Sequence, residues 1–334
     1  MRCCGLSAVR PTPSVPSRAR LLAAEDIVAR HLAVTPLVEL AGSGGRVLLK
    51  VETVQPTGSF KIRGALAALA AAPAAQPVVT ASAGNHALGV ARAAELLGRS
   101  ATVVVPETAS SAKLERLERF DVRLVRAGEN YDAAEAHALR LATDTDARFI
   151  SAYNDADVIA GQRTVGVEVG HRVRGPMTIV CPVGGGGLLS GIALWAAEHP
   201  DVRVVGVEAA ASRALSSAVR VGHVVKVPIG PTLADGMAGG LEVGAVTVEI
   251  ARRHVHDLIA VGEGELRHAI RALTFEQGLV VEGAGAAAAA AVLSGRVVDD
   301  RPAARVVAVL SGRNIARQTL LDVLREPGGL SSQS

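Results

Sequence analysis

The chain of 334 residues is 49% hydrophobic and only 2% aromatic, with 35 basic and 32 acidic residues and a net charge of +3. This length and apolar content suffice for one or two domains with a buried core. Because charges of both signs are interspersed and aromatic rings are scarce, we expect no nucleic-acid partner. Cys3, Cys4 and Cys181 show neither a disulfide framework nor a zinc spacing, which favours a reducing, cytoplasmic location.

The two ends of the chain are expected to lie outside the fold. Residues 1–20 contain four arginines, three prolines and no acidic residue, and they lack the apolar segment of a secretory signal. Organelle transit peptides share this composition, but we prefer a disordered basic extension, and we expect residues 326–334 to form a disordered tail. The alanine-rich run 284–293 is too short to span a bilayer, so we expect no membrane partner.

Short β-branched runs alternate with helical patterns along the rest of the chain. The predicted strands are 47–52, 78–82, 102–106, 122–126, 178–182, 202–207 and 305–310. Helical spacing is clearest in 85–97, 133–142 and 188–198. Runs that are apolar throughout suit strands buried on both faces, so the alternation predicts an α/β fold with parallel sheets.

Four strand ends carry unusual sequence, and ligands of open parallel sheets bind at strand ends of this kind. The first segment, 55–64, reads QPTGSFKIRG and places Lys61 at a predicted helix start. The helix dipole disfavours a cation there, and this cost vanishes if the amine is neutral or forms a Schiff base. A solvated surface lysine is an equally weighted alternative from this segment alone.

Two of the other segments are ambiguous on local grounds. Residues 81–87 read ASAGNHA, which exposes main-chain N–H groups for a carboxylate but fits an ordinary helix cap equally well. The segment 311–314 places Ser311 at a strand end, where its hydroxyl either faces the central crevice or caps a helix. Neither segment decides a function alone.

The glycine run Gly184, Gly185, Gly186 and Gly187 follows a predicted strand and precedes a helix. Four successive glycines are costly to order, which argues against a purely structural role. A strand–glycine loop–helix unit binds phosphate through main-chain N–H groups and the helix dipole. The run matches neither a Walker A sequence nor a dinucleotide fingerprint, so it predicts phosphate binding and disfavours a nucleotide-dependent oxidoreductase.

Together, these segments resemble the threonine/serine dehydratase branch of the fold-type II (tryptophan synthase β-like) PLP-dependent enzymes. The resemblance rests on 55–64, 82–86, 184–187 and 311–314, with support from 158–162, 233–236 and 282–286. The segments follow the family's order and extend from about residue 35 to residue 314. The resemblance implies two parallel-sheet domains with pyridoxal phosphate in the cleft between them.

The resemblance also assigns roles to individual residues. Lys61 would carry the cofactor as a Schiff base and then act as the base at the substrate Cα. The implied cofactor contacts are Phe60, Lys61, Asn85 at the ring hydroxyl, Gly184, Gly185, Gly186, Gly187 and Leu188 at the phosphate, and Ser311 at the ring nitrogen. The implied substrate contacts are the main chain of Ser82, Ala83, Gly84, Asn85 and His86.

The implied reaction is the β-elimination of water from L-threonine or L-serine, which gives a 2-oxo acid and ammonia. A serine at the ring nitrogen does not force its protonation, which favours prompt elimination over a long-lived carbanion. Related racemases place a second acid/base hydroxyl where this chain has Ala83, so we prefer dehydration to serine racemisation. A metal beside the glycine loop is possible through Glu208, although Ala214 stands near its expected partner.

Three residues depart from the family pattern: Arg313, Arg163 and Leu88. An arginine that faces the site would pair with a substrate carboxylate, as in a 3-hydroxyaspartate ammonia-lyase, whereas one that points to water would change little. A crowded ring would instead leave a non-catalytic protein that binds amino acids or phosphate. These alternatives stay open at the level of the sequence.

The expected domain division follows from the same resemblance. Residues 21–66 and 152–325 would form the large PLP-binding domain, and 67–151 a small mobile domain that closes over the substrate. The resemblance further implies a homodimer.

Overall fold

The computed structural model describes residues 13–325, so the first twelve residues of the expected extension, with Cys3 and Cys4, and the expected tail at 326–334 lie outside the described residues. The expectation of disorder up to residue 20 is wrong for its last three residues, because helix α1 spans Arg18–His31. The Ser17 hydroxyl accepts a hydrogen bond from the main-chain N–H of Arg20, and the helix buries Leu21 and Val28. This cap and this apolar stripe explain why the helix begins there.

The larger sheet has six strands in the order β1-β2-β10-β7-β8-β9. These are β1 (Leu37–Glu39), β2 (Val47–Val51), β7 (Met177–Pro182), β8 (Val202–Ala209), β9 (Asp257–Val261) and β10 (Arg305–Leu310). All neighbours are parallel except β1 and β2. The central strand β7 is buried along its whole length, as expected for a strand that is covered on both faces.

A second, four-stranded sheet has the order β5-β4-β3-β6 and is parallel throughout. Its strands are β3 (Val78–Ala81), β4 (Ala101–Val105), β5 (Arg123–Arg126) and β6 (Arg148–Phe149). The seven predicted strands are confirmed with small shifts of their ends, and β1, β6 and β9 were not predicted. The α/β class with parallel sheets is confirmed.

The remaining helices connect these strands. They are α2 (Lys61–Ala71), α3 (Asn85–Leu97), α4 (Ser111–Leu117), α5 (Tyr131–Asp144), α6 (Ala156–Arg172), α7 (Gly187–Ala196), α8 (Ala214–Val221), α9 (Val246–His254), α10 (Glu263–Gln277), α11 (Gly283–Leu293) and α12 (Arg317–Arg325). Over residues 13–325, none of the helices is long and apolar enough to cross a membrane.

Glycines bring α2 and α7 close to α6, and this contact positions the two segments of greatest interest. A Cβ on Gly161 of α6 would overlap the main-chain oxygen of Arg63 on α2. A Cβ on Gly191 of α7 would lie 2.7 Å from the main-chain oxygen of Ile159 on α6. The lysine helix and the helix after the glycine loop are therefore held on the same rigid support.

Candidate active site

Lys61 is the first residue of α2, and its side chain points inward rather than into solvent. The Nζ atom donates a hydrogen bond to the main-chain oxygen of Ala152 at 2.8 Å and lies 5.2 Å from the centroid of the Phe60 ring. Burial lowers the pKa of Lys61 to about 8, although the charge of Glu282 opposes the shift. The alternative of a solvated surface lysine is therefore wrong, and the amine is available as a nucleophile and base near neutral pH.

The turn before Lys61 is joined to the loop after β10 by main-chain hydrogen bonds. The main-chain N–H of Phe60 donates to the main-chain oxygen of Ser311 at 3.0 Å, and the main-chain N–H of Arg313 donates to the main-chain oxygen of Gly58 at 2.9 Å. Gly58 has a φ of +75°, in the left-handed region that favours glycine. Ser311, which is 4% exposed, is thus held beside the lysine turn although the two are far apart in sequence.

Asn85 is the first residue of α3 and contacts Glu282, which precedes α11, and Asn314, which follows β10 of the six-stranded sheet. Its Nδ2 donates to Glu282 Oε1 at 2.7 Å, and its Oδ1 accepts a hydrogen bond from Asn314 Nδ2 at 2.5 Å. Glu282 was part of a supporting motif in the sequence, but no role was assigned to it. Burial raises the pKa of Glu282 to about 7, which makes it a titratable carboxyl inside the candidate site.

The segment from Ser82 to His86 forms the loop between β3 and α3. The Ser82 hydroxyl accepts a hydrogen bond from the N–H of Gly84 at 3.1 Å, and open space surrounds the position of a Cβ on Gly84. His86 is buried with Nε2 3.4 Å from the Ile150 oxygen, and burial lowers its pKa to about 3. The His86 imidazole is therefore neutral and packed inward, so only its main chain is available at the loop.

The glycine loop packs so closely on its surroundings that side chains do not fit. A Cβ on Gly185 would overlap the Tyr153 ring, and one on Gly187 would lie 2.9 Å from the Tyr153 Cα. Gly186 has a φ of +86°, and a Cβ there would lie 3.0 Å from the Thr247 Cβ. Tyr153 and Thr247 therefore require the glycines.

The loop also has the properties of an anion site. It ends where α7 begins, and the first-turn N–H groups of a helix have no acceptor within the helix itself. The hydroxyls of Ser190 and Thr247 lie in this region and, within the described range, are buried without a hydrogen-bond partner. Main-chain donors, a helix N-terminus and two partnerless hydroxyls suit a phosphate group. With the Lys61 amine, this donor set fits pyridoxal phosphate.

Replacing Gly185 with alanine is expected to weaken the binding of pyridoxal phosphate about tenfold or more. The added methyl group would overlap the Tyr153 ring, so the ring or the loop must move away from the phosphate donors. Fluorescence titration with the cofactor measures the change. Gly264→Ala is the matched control, because a Cβ there meets open space. Equal affinities for both variants would contradict the assignment of the loop.

The departures Arg313 and Arg163 do not point into the site. Arg313 is exposed, and its guanidinium donates to the main-chain oxygen of Thr53. Arg163 of α6 pairs with Glu25 of α1 and, at 2.8 Å, with Glu198, which follows the end of α7. Neither contact supports a receptor for a substrate carboxylate or a crowded cofactor ring.

Glu208 acts as a helix cap in this structure. Its carboxylate accepts a hydrogen bond from the main-chain N–H of Leu215 at 2.8 Å and from that of Ser216 at 3.3 Å, at the start of α8. In the chain from residue 13 to residue 325, no group of three or more His, Cys, Asp or Glu side chains could hold a metal ion. The contacts of Glu208 therefore give its possible metal role no support.

A buried ion network lies beneath the first turn of α2. Arg63 donates to Glu52 at 2.7 and 2.8 Å and to Glu168 at 2.6 and 2.9 Å. Lys50 donates to Glu168 at 2.5 Å, and the side chains of Lys50, Glu52 and Arg63 have no exposed surface. Burial alone would raise the pKa of Glu52, but the Arg63 guanidinium outweighs this effect and holds it below its ordinary value. The network ties α2 to β2 and α6.

Comparisons with known proteins agree with this site. Residues 28–312 match the family of pyridoxal-phosphate dependent enzymes, to which the chain belongs. The expected cofactor is thereby confirmed. The chain is 40% identical to an L-threonine ammonia-lyase of Thermotoga maritima over 256 residues, which is 75% of this chain and 64% of that protein. It therefore spans less than two thirds of that relative's length.

Two solved structures resemble most of the described fold. A threonine deaminase from T.th. superposes with a TM-score of 0.81 at 35% identity, covering 90% of this chain and 99% of that one. Maize serine racemase gives a TM-score of 0.85 at 28% identity, covering 92% and 97%. The resemblance to the threonine/serine dehydratase branch is confirmed.

Proposed function

We propose that this chain is a lyase that dehydrates and deaminates L-threonine, L-serine or both, giving a 2-oxo acid and ammonia. The observation that carries the proposal is a half-buried lysine whose amine has its pKa lowered to about 8, placed in one fold with a glycine-loop anion site. The names of the Thermotoga maritima relative and of the structurally similar threonine deaminase support this choice of reaction.

The proposed binding roles are those that the family resemblance implies for these residues. The main-chain N–H groups of Gly184, Gly185, Gly186, Gly187 and Leu188 would hold the phosphate, and Phe60 would pack on the ring. Ser311 would face the ring nitrogen, and Asn85 would hydrogen-bond to the ring hydroxyl. The N–H groups of the loop formed by Ser82, Ala83, Gly84, Asn85 and His86 hold the substrate carboxylate at the start of α3.

The main catalytic task of this chain is to remove the proton from the substrate Cα. Bound pyridoxal phosphate supplies an electron sink for charge that develops at the substrate Cα. Lys61 holds the cofactor between turnovers and takes the Cα proton when its amine is free. Because the Ser311 hydroxyl is neutral, it leaves the ring nitrogen without an obligatory positive charge. This favours loss of the β-hydroxyl, which leaves as water with the equivalent of the proton that Lys61 removes from Cα.

Racemisation of serine is less well supported by the same site. Ala83 has no hydroxyl to return a proton to the second face of the Cα carbon. His86, the nearby imidazole, is buried, and its lowered pKa keeps it neutral at neutral pH, where it is a very weak acid.

We further propose a domain division, an oligomeric state and a cellular compartment for this chain. Residues 67–151, which include the second sheet, form a small mobile domain that closes over the substrate, and 21–66 with 152–325 form the large domain. The active form is a homodimer in the cytoplasm. The buried, free thiol of Cys181 is compatible with a reducing compartment.

The test is an assay of the purified chain after incubation with pyridoxal phosphate. We expect visible absorbance from lysine-bound cofactor and release of a 2-oxo acid from L-threonine or L-serine. Racemisation is scored as D-serine, and a third arm uses 3-hydroxyaspartate. Absorbance without any 2-oxo acid from L-threonine or L-serine would refute the reaction, and absence of the absorbance would refute cofactor binding as well.

A further inference from the structure

The Asn85 carboxamide is held in one orientation by contacts at both of its ends. A carboxamide has an acceptor oxygen and a nitrogen with two N–H groups, so its orientation depends on which neighbours donate. Here Asn314 Nδ2 donates to Asn85 Oδ1 at 2.5 Å, while Asn85 Nδ2 donates to Glu282 Oε1 at 2.7 Å. A rotated amide would face its oxygen toward the Glu282 carboxylate, which is unfavourable.

The direction of these hydrogen bonds is itself fixed by further residues. Asn314 Nδ2 also donates to the main-chain oxygen of Thr57 at 2.9 Å, and Asn314 Oδ1 accepts from the Arg116 guanidinium. An arginine can only donate, so the amide of Asn314 has one favourable orientation. The chain of donors therefore runs from Arg116 on α4 through Asn314 and Asn85, and ends at Glu282.

Glu282 is the acceptor at the end of this chain and is almost fully enclosed. It is 7% exposed, its N–H donates to the Gly312 oxygen at 3.0 Å, and a Cβ on Gly312 would lie 2.5 Å from its Oε1. The charged groups that face it are Asp235, Arg116 and Lys61. Burial is the main reason that its pKa is about 7, with Asp235 raising it further and Arg116 lowering it.

We propose that Glu282 is a positioning residue that acts through Asn85 on the ring oxygen of the cofactor and makes this contact depend on pH. The inference rests on the proposed function, because it takes Asn85 as the partner of that oxygen. One N–H of Asn85 Nδ2 is used by Glu282, which leaves the second for the cofactor. Protonation of Glu282 replaces a charge-assisted hydrogen bond by a neutral one of roughly half the strength. The Asn85 amide is then held less firmly.

The test is the visible absorbance of the cofactor-loaded protein as a function of pH on both sides of neutrality. The wild-type chain is expected to show a step near pH 7, where Glu282 titrates. Glu282→Gln keeps the shape of the side chain but cannot titrate, so its spectrum is expected to lose this step. Glu265→Gln, which removes a carboxylate at the start of α10, is the control and retains it. A step that persists unchanged in Glu282→Gln would overturn the proposal.

Two further variants separate positioning from a general structural role. In an Asn85→Ala background, adding Glu282→Gln is expected to leave the spectrum unchanged, because the two residues act in series. An undiminished additional effect would overturn the proposal.

Asp235→Asn changes an exposed residue and serves as the test if Glu282→Gln fails to fold. Loss of that negative charge is expected to move the step to lower pH, and a step that stays or rises would contradict the inference.

The same experiment distinguishes failure of this inference from failure of the proposed function. A wild-type chain that acquires no visible absorbance with pyridoxal phosphate overturns both. Absorbance and 2-oxo acid release together with a step unaffected by Glu282→Gln overturn only the role of Glu282.

Discussion

Replacement of Lys61 with alanine is expected to lower the rate of 2-oxo acid release by at least about 10⁴-fold. The change removes both the attachment of the cofactor and the base for the Cα proton. Burial already lowers the pKa of Lys61 to about 8, so loss of this disfavoured cation leaves the fold intact. The rate is measured with saturating pyridoxal phosphate and equal amounts of folded protein, and visible absorbance is recorded in parallel.

The matched control for this prediction is Lys226→Ala, since Lys226 is exposed. We expect wild-type absorbance and activity in the control. If Lys61→Ala kept a rate within tenfold of wild type, Lys61 would not be the base, and another amine would have to hold the cofactor. Lost activity with unchanged lysine-bound absorbance would also contradict the assignment, because absorbance and activity are expected to depend on the same amine.

The sequence predicts the parts of the site that consist of contiguous residues. The glycines of 184–187 sit between a buried strand and a helix, and their backbone requirements are local. The same holds for the turn that positions Lys61 at the start of α2. Strands such as β7 and β10 were also predictable, because runs of β-branched residues buried on both faces are distinctive.

Contacts between distant residues were not predictable from the sequence. Asn85 and Glu282 are 197 positions apart, and Asn85 and Asn314 are 229 apart, so no local pattern relates them. The direction of Arg313 depends on a main-chain oxygen supplied by Thr53, which sequence spacing does not reveal. The strands β1 and β6, with three and two residues, are too short to show a period.

The ion network under α2 also consists of contacts between distant residues, and these contacts affect the stability of the fold. Arg63 lies in the segment 55–64 that identified the lysine, yet its partners come from 11 and 105 positions away. A buried arginine without partners would be strongly unfavourable, so the presence of both Glu52 and Glu168 is a condition for the fold. The support of the lysine turn is therefore electrostatic as well as apolar.

Replacement of Arg63 with alanine is accordingly expected to reduce the free energy of unfolding by about 3–5 kcal/mol. The variant leaves Glu52 and Glu168 buried, with Lys50 as the remaining cation of the network. Urea denaturation measures the loss. Arg92→Ala is the control, because its pair with Glu95 is partly exposed and is expected to contribute less than about 1 kcal/mol. Equal losses in the two variants would show that the network does not stabilise the fold.

The stability difference between wild type and Arg63→Ala is also expected to shrink at acid pH. In the wild type, the pKa of Glu52 lies below its ordinary value of 4.5, so its contribution is present above that pH and is lost as the pH falls further. Without Arg63, burial is the dominant effect and raises the pKa of Glu52, so that protonation stabilises the variant. Denaturation at neutral pH and below pH 4.5 tests this. A difference that stays constant would mean that the loss comes from packing around Arg63 rather than from its charge.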